Sequence, residues 1–70
     1  MEILVFKTNL ANKQRISDVE PTLNVHPHII SWNVDLNDHD NVLRIICGNI
    51  SPKEIEHLQL SEGYYCEELL

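Results

Sequence analysis

The side chains best equipped for chemistry are four histidines and two cysteines. His26 and His28 flank Pro27, and two imidazoles so close together suit zinc, copper(II) or nickel. A third donor would have to come from elsewhere in the chain, and Cys47, at the end of an apolar run, is the candidate, giving His26, His28 and Cys47 as an alternative metal set. Such metals want about four ligands, so this set is incomplete. His39 stands between Asp38 and Asp40, which reads either as a hard-cation or zinc site or as a hydrated turn. Turns recruit Asp and Asn for local hydrogen bonding alone, and the turn is the expectation. His57 falls on a polar helix face, and Cys47 and Cys66 read as small apolar side chains. No residues pair as nucleophile and base, and no glycine-rich loop is present to hold a phosphate, so no catalytic activity and no cofactor are expected.

Composition narrows the function classes further. Seventy residues, 43% of them hydrophobic with only two glycines and three prolines, predict one small globular domain spanning 1–70. Eleven acids against five Lys and Arg give a formal net charge of −6. Nucleic acid is excluded as a partner, because binding it needs a basic surface that releases counterions. No apolar stretch reaches membrane-spanning length and no signal peptide is evident, so the expectation is a cytoplasmic monomer without membrane contact. Two cysteines are too few for a disulfide-stapled scaffold.

The elements that must position these residues follow from periodicity. Ile3 to Phe6 is a continuous apolar run, which predicts a central strand. Ile16, Val19 and Leu23 form one helical stripe after Asn12, a natural N-cap, while Pro21 should kink or end that helix early. Ile30, Trp32, Val34 and Leu36 alternate with polar residues and predict a half-buried strand with Trp32 in the core. A polar turn at 37–41 leads to a strand over Val42 to Cys47 that points Arg44 outward. Ser51, Pro52 and Glu54 predict a capped helix with Glu54 closing a capping box, then Ile55 and Leu58 as its stripe, with Leu60 or Gln59 at the edge. Gly63 suits the left-handed residue after a helix end, and Tyr64 to Leu69 predicts a short edge strand. The order βαββαβ, with right-handed crossovers, predicts an α+β ferredoxin-like sandwich: a four-stranded antiparallel sheet in the order 4-1-3-2 with both helices on one face.

Several segments now carry a resemblance. Trp32-Asn33-Val34-Asp35-Leu36 resembles the "V-x-V-D-L" second strand of heavy-metal-associated (HMA) domains, found in copper chaperones and metal-pumping ATPases. Gly48-Asn49-Ile50-Ser51-Pro52-Lys53-Glu54-Ile55 is similar to that family's "G-D-V-D-P-E-E-I", and Glu62-Gly63-Tyr64 followed by Cys66-Glu67 to its "A-G-Y-x-A-E". Ile16, Val19 and Leu23 match its "V-x-x-V-x-x-x-L". Together these segments span essentially the whole chain.

The resemblance places the family's M-x-C-x-x-C metal loop on Leu10, Ala11, Asn12, Lys13, Gln14 and Arg15. Asn12 and Arg15 then stand where paired thiolates hold Cu(I), and no cysteine precedes Cys47. Cu(I) prefers soft sulfur donors, and neither an amide nor a guanidinium is one. In the family this loop and first helix dock onto another such domain. The resemblance therefore implies a non-catalytic module with a degenerate metal site and a protein partner, its docking face built from Leu10, Asn12, Lys13, Gln14 and Arg15. The alternative is a metal-binding chaperone or sensor that uses His26 and His28.

Overall fold

The computed structural model describes residues 1–69. Chain order is β1 (Glu2–Thr8), α1 (Lys13–Asn24), β2 (Ile29–Asp35), β3 (Val42–Cys47), α2 (Pro52–Ser61) and β4 (Cys66–Glu68). The strands form one antiparallel sheet in the order β2-β3-β1-β4, so the ferredoxin-like sandwich and its strand order are as predicted.

The core lies between the sheet and the helices. Leu4 and Phe6 from β1 and Leu43, Ile45 and Cys47 from β3 meet Val19 and Leu23 of α1 and Ile55 of α2, all buried. Strand alternation explains the choice: Leu4 pairs with Ile45 and Phe6 with Leu43, so directly opposed residues share the inner face. Ile3, between them in sequence, is 64% exposed on the outer face. The continuous apolar run of β1 thus marks a central strand whose second face is left uncovered.

Both helices start at their predicted caps. Asn12 Oδ1 accepts from Arg15 N at 2.9 Å and Ser51 Oγ from Glu54 N at 3.3 Å, each satisfying an amide that the helix leaves free. Gly63 has φ +88°, the left-handed conformation expected after α2.

Five local expectations are corrected. Helix α1 runs through Pro21 to Asn24 instead of ending early. Val19 and Leu23, buried on either side, hold the turn in place, and Val25 N and His26 N close it onto the carbonyls of Pro21 and Leu23. In β2 a bulge falls between Ile29 and Ser31, so Ile29 rather than Ile30 joins the core face and Ile30 is exposed. Leu36 lies beyond the strand end and is also exposed. The Glu54 side chain pairs with His26 at 2.7 Å rather than completing a capping box. Finally, β4 is only three residues long, with Tyr64 and Tyr65 preceding it.

Trp32 is half-buried against the core, its indole N–H donating to Asn24 Oδ1 at 2.8 Å, so the aromatic body and its polar edge are both accommodated. The α2 residue at the edge of the predicted stripe proves central. Gln59 is fully buried, and its Nε2 and Oε1 have no hydrogen-bond partner among the described residues. A buried amide left unpaired carries its desolvation cost without compensation. Replacing it with the similarly shaped Met should therefore stabilise the protein by about 1–2 kcal/mol, read as a higher urea midpoint at unchanged slope. A lower midpoint for Gln59→Met would show that the amide is satisfied in solution.

Candidate functional site

The segment linking β1 to α1 is built around Thr8. Its side chain is buried at the end of β1, where a lone hydroxyl would be costly. The hydroxyl donates to Asn41 O at 2.6 Å and accepts from Leu10 N at 3.1 Å, while Thr8 N donates to Asp40 O at 3.0 Å. One residue thereby joins the β1 end, the β2–β3 turn and the loop. Asn41 takes φ 47°, a left-handed conformation that asparagine tolerates better than most residues.

Asn9 is the second anchor. Its backbone carbonyl accepts from Ala11 N and from Arg15 Nη1, both at 2.8 Å, and its Oδ1 accepts from Tyr65 N at 2.9 Å. Arg15 is thus folded back along the loop. Tyr64 reaches α1 through its hydroxyl, which donates to Asp18 Oδ2 at 2.5 Å and is made harder to ionise by that carboxylate. Thr22 Oγ1 donates to Glu62 Oε1 at 2.7 Å, a second tie between α1 and the turn before β4. Sequence reasoning did not single out Thr8, Asn9 or Asp18. Tyr64 alone was signalled, by its place after Gly63.

The five loop residues expected on a docking face divide into two groups. Leu10 is fully buried and belongs to the core, which corrects its placement on that face. Its N–H is held by Thr8, and burying an apolar side chain of this size stabilises by roughly 2 kcal/mol. Asn12, Lys13 and Gln14 are exposed and Arg15 is half-buried. Gln14 Nε2 donates to Asp18 Oδ1 at 3.1 Å.

No protein-family model matches the chain, and no curated protein matches it either. A solved structure described as "Crosstalk between Cu(I) and Zn(II) homeostasis" superposes with a TM-score of 0.82, covering 99% of this chain and 100% of its own, at 14% sequence identity. The apo form of the HMA domain of copper chaperone for superoxide dismutase gives a TM-score of 0.79 at 15% identity. That alignment covers 97% of this chain and 66% of the other. The chain has the fold of an HMA domain. Identity this low carries the likeness no further than the fold.

Within this HMA-type fold, the loop offers amide and carbonyl oxygens, one primary amine and a guanidinium, but no sulfur. That donor set does not fit Cu(I), which selects thiolate. The nearest cysteine in the sheet is Cys66, opposite Thr8 on the β1–β4 ladder. Burial first, and then the Glu56 carboxylate, push its thiol up to about 12, so it is protonated at neutral pH and a poor ligand. Cys47 is fully buried, and burial, followed by the Glu2 carboxylate, raises its thiol as well. Both cysteines are free, and their strands are separated by β1, as predicted.

At the opposite end of the sheet the two histidine rings meet, and the ring of His26 is engaged by other groups. The rings of His26 and His28 lie 5.9 Å apart. His28 N donates to His26 Nδ1 at 3.2 Å, and His26 Nε2 lies 2.7 Å from Glu54 Oε2. With Nδ1 accepting, Nε2 carries the proton and donates to the carboxylate, leaving no lone pair for a metal. His28 O accepts from Gly48 N at 3.0 Å, which brings the connector beside the end of β3. No group of three or more His, Cys, Asp or Glu is arranged to hold a metal ion among the described residues, so His26, His28 and Cys47 are not brought together as one. His39 is almost fully exposed, 4.0 Å from Asp38 and 3.8 Å from Asp40, in a turn closed by Asp40 N donating to Asp38 Oδ1. No helix is long and apolar enough to cross a membrane among the described residues.

Two outcomes follow from these contacts. Thr8→Val keeps the shape of the side chain but strands Asn41 O and Leu10 N, and should lower stability by about 1–3 kcal/mol, with faster amide exchange at Leu10. Cys66 makes alkaline pH destabilising. Its folded-state value lies above the unfolded value of 9.0, so its contribution is intact below pH 9 and is lost as pH rises toward about 12. Cys66→Ala should flatten the fall in melting temperature across that window.

Proposed function

We propose that this protein is a non-catalytic docking module on an HMA-type scaffold, working through the β1–α1 loop and the start of α1 without bound Cu(I). The observation that carries this reading is the use made of Asn12 and Arg15. Where the resemblance places two thiolates, Asn12 caps α1 and Arg15 closes the loop onto the Asn9 carbonyl. The chemistry of a soft-metal site is replaced by hydrogen bonds that hold the same loop in one conformation.

A preformed loop lowers the ordering cost of association. Ala11, Asn12, Lys13 and Gln14 present a small polar and basic surface on a chain of net charge −6. That local contrast favours a partner with acidic groups facing Lys13, positioned by the amides of Asn12 and Gln14. Leu10 supports the surface from beneath.

The experiment is an amide NMR titration under reducing conditions, with one equivalent of Cu(I) and separately of Zn(II). Resonances of residues 10–15 should stay in place with both metals. Stoichiometric shifts there with Cu(I) would sink the metal-independent reading, and selective broadening of His26 and His28 with Zn(II) would favour a histidine site instead. The docking half is tested by Lys13→Glu. A partner retained by the tagged wild-type chain should be lost by at least ten-fold in affinity, because reversing a rim charge turns attraction into repulsion. Unchanged binding by Lys13→Glu would move the docking face elsewhere.

A further inference from the structure

The sheet has two open edges, and they are built differently. The β4 edge is three residues long and carries Glu67 and Glu68, charges that keep another strand away. The β2 edge runs for seven residues with no charge from Ile29 to Val34. Its free backbone groups follow from the ladder. Leu69 N donates to Val5 O at 2.9 Å, so Val5 faces β4, and Leu4 and Phe6 face β3. Ile45 and Leu43 then bond back to β1, which leaves Arg44 to bond Asn33 in β2. Trp32 and Val34, on either side of Asn33, therefore turn N–H and C=O outward, without a hydrogen-bond partner among the described residues.

We propose that this edge pairs with the same edge of a second copy, antiparallel about a two-fold axis that passes through Asn33 normal to the sheet. The residues around Asn33 are what select a second copy. Apolar and polar side chains alternate symmetrically about it over Ile30-Ser31-Trp32-Asn33-Val34-Asp35-Leu36. The two-fold operation sets Trp32 against Val34 of the second copy, where the outward N–H and C=O groups bond in both directions, and Asn33 against its own equivalent. Ser31 meets Asp35, a hydroxyl donor opposite the one charge in the segment. Ile30, 65% exposed, meets Leu36, 40% exposed, so each copy covers apolar side chains that the monomer leaves in water. Beside Ile30, between β2 and the end of α1, lies a groove of about 310 Å³ lined by Leu23, Asn24, Ile29, Ile30, Ser31 and Trp32. Leu36 of the second copy arrives at the mouth of that groove with the size and chemistry to enter it.

The contact is narrow. A single strand edge buries less than a standard interface and two copies of net charge −6 repel, so association is weak and depends on concentration. Salt screens the repulsion while leaving the main-chain bonds in place, and therefore strengthens the dimer. The guarded β4 edge terminates the sheet on each side, so pairing closes at two copies. Residues 10–15 take no part, and the dimer is independent of the docking reading above.

Sedimentation velocity and amide exchange on the full chain test it. The weight-average sedimentation coefficient should rise between about 20 µM and about 1 mM, and rise further at each concentration when NaCl is added. Over the same range, exchange at the Trp32 and Val34 amides should slow while that at Glu68 is unchanged. Asn33→Asp and Asn33→Lys alter an exposed side chain that meets itself on the axis, so the fold is retained and each should weaken association about ten-fold. An equimolar mixture of the two variants should associate at least as tightly as the wild type, because opposite charges then face each other. A wild-type chain that stays monomeric at the highest concentration overturns the proposal and leaves the edge to a strand of another protein. A mixture no tighter than either variant alone overturns it too, as does slowed exchange at Glu68 in place of Trp32 and Val34.

Discussion

The hydroxyl of Thr8 is the contact through which the sheet, the hairpin turn and the β1–α1 loop become one structure. It is buried at the end of a central strand, where an unpaired polar group would be expensive, and it is satisfied in both directions at once. Its donation fixes the carbonyl of Asn41 in the turn, and its acceptance fixes the amide of Leu10, which carries that side chain into the core. The loop therefore inherits its position from the sheet. Asn9, Asn12 and Arg15 then complete it from above, through bonds to the loop backbone and to Tyr65 N.

The two ends of the sandwich solve the same problem with different groups. At the loop end, neutral amides and a guanidinium stand where the resemblance places thiolates, and the chain closes on its own carbonyls. At the other end, His26 joins the connector to the first turn of α2 by accepting from His28 N and donating to Glu54. Its imidazole serves as a two-ended hydrogen-bond link. The carboxylate lies near a helix N-terminus, where negative charge is favoured. The His26 ring, which reads as a metal donor in isolation, is spent on holding the connector to a helix.

Thiol chemistry is suppressed by the same packing. Cys47 lies among Leu4, Ile45 and Ile55, and Cys66 is turned inward beside Thr8 and close to Glu56. A low dielectric and a nearby carboxylate both disfavour the thiolate, so each sulfur acts as a small apolar group. The electrostatic character of the molecule then resides in its carboxylates, several of them held locally: Asp18 by Tyr64, Glu62 by Thr22 and Glu56 by the amide of Glu68.

Local chemistry in the sequence was enough to determine the element order, both helix caps, the left-handed Gly63 and the sheet order, because capping, periodicity and crossover handedness act over a few residues or follow from connectivity. Tertiary structure alone decided the rest. Pro21 stays helical because Val19 and Leu23 are buried beside it, an outcome that propensity cannot contain. Ile30 is exposed because the β2–β3 register slips by one residue, and a one-residue slip exchanges faces. Leu10 enters the core and Glu54 leaves its cap for His26 because of partners far away in sequence. The candidate loop was legible as a position. Its chemistry became readable only when Thr8, Asn9 and Arg15 were seen to bond across it, since distant backbone carbonyls leave no mark on the residues that will meet them.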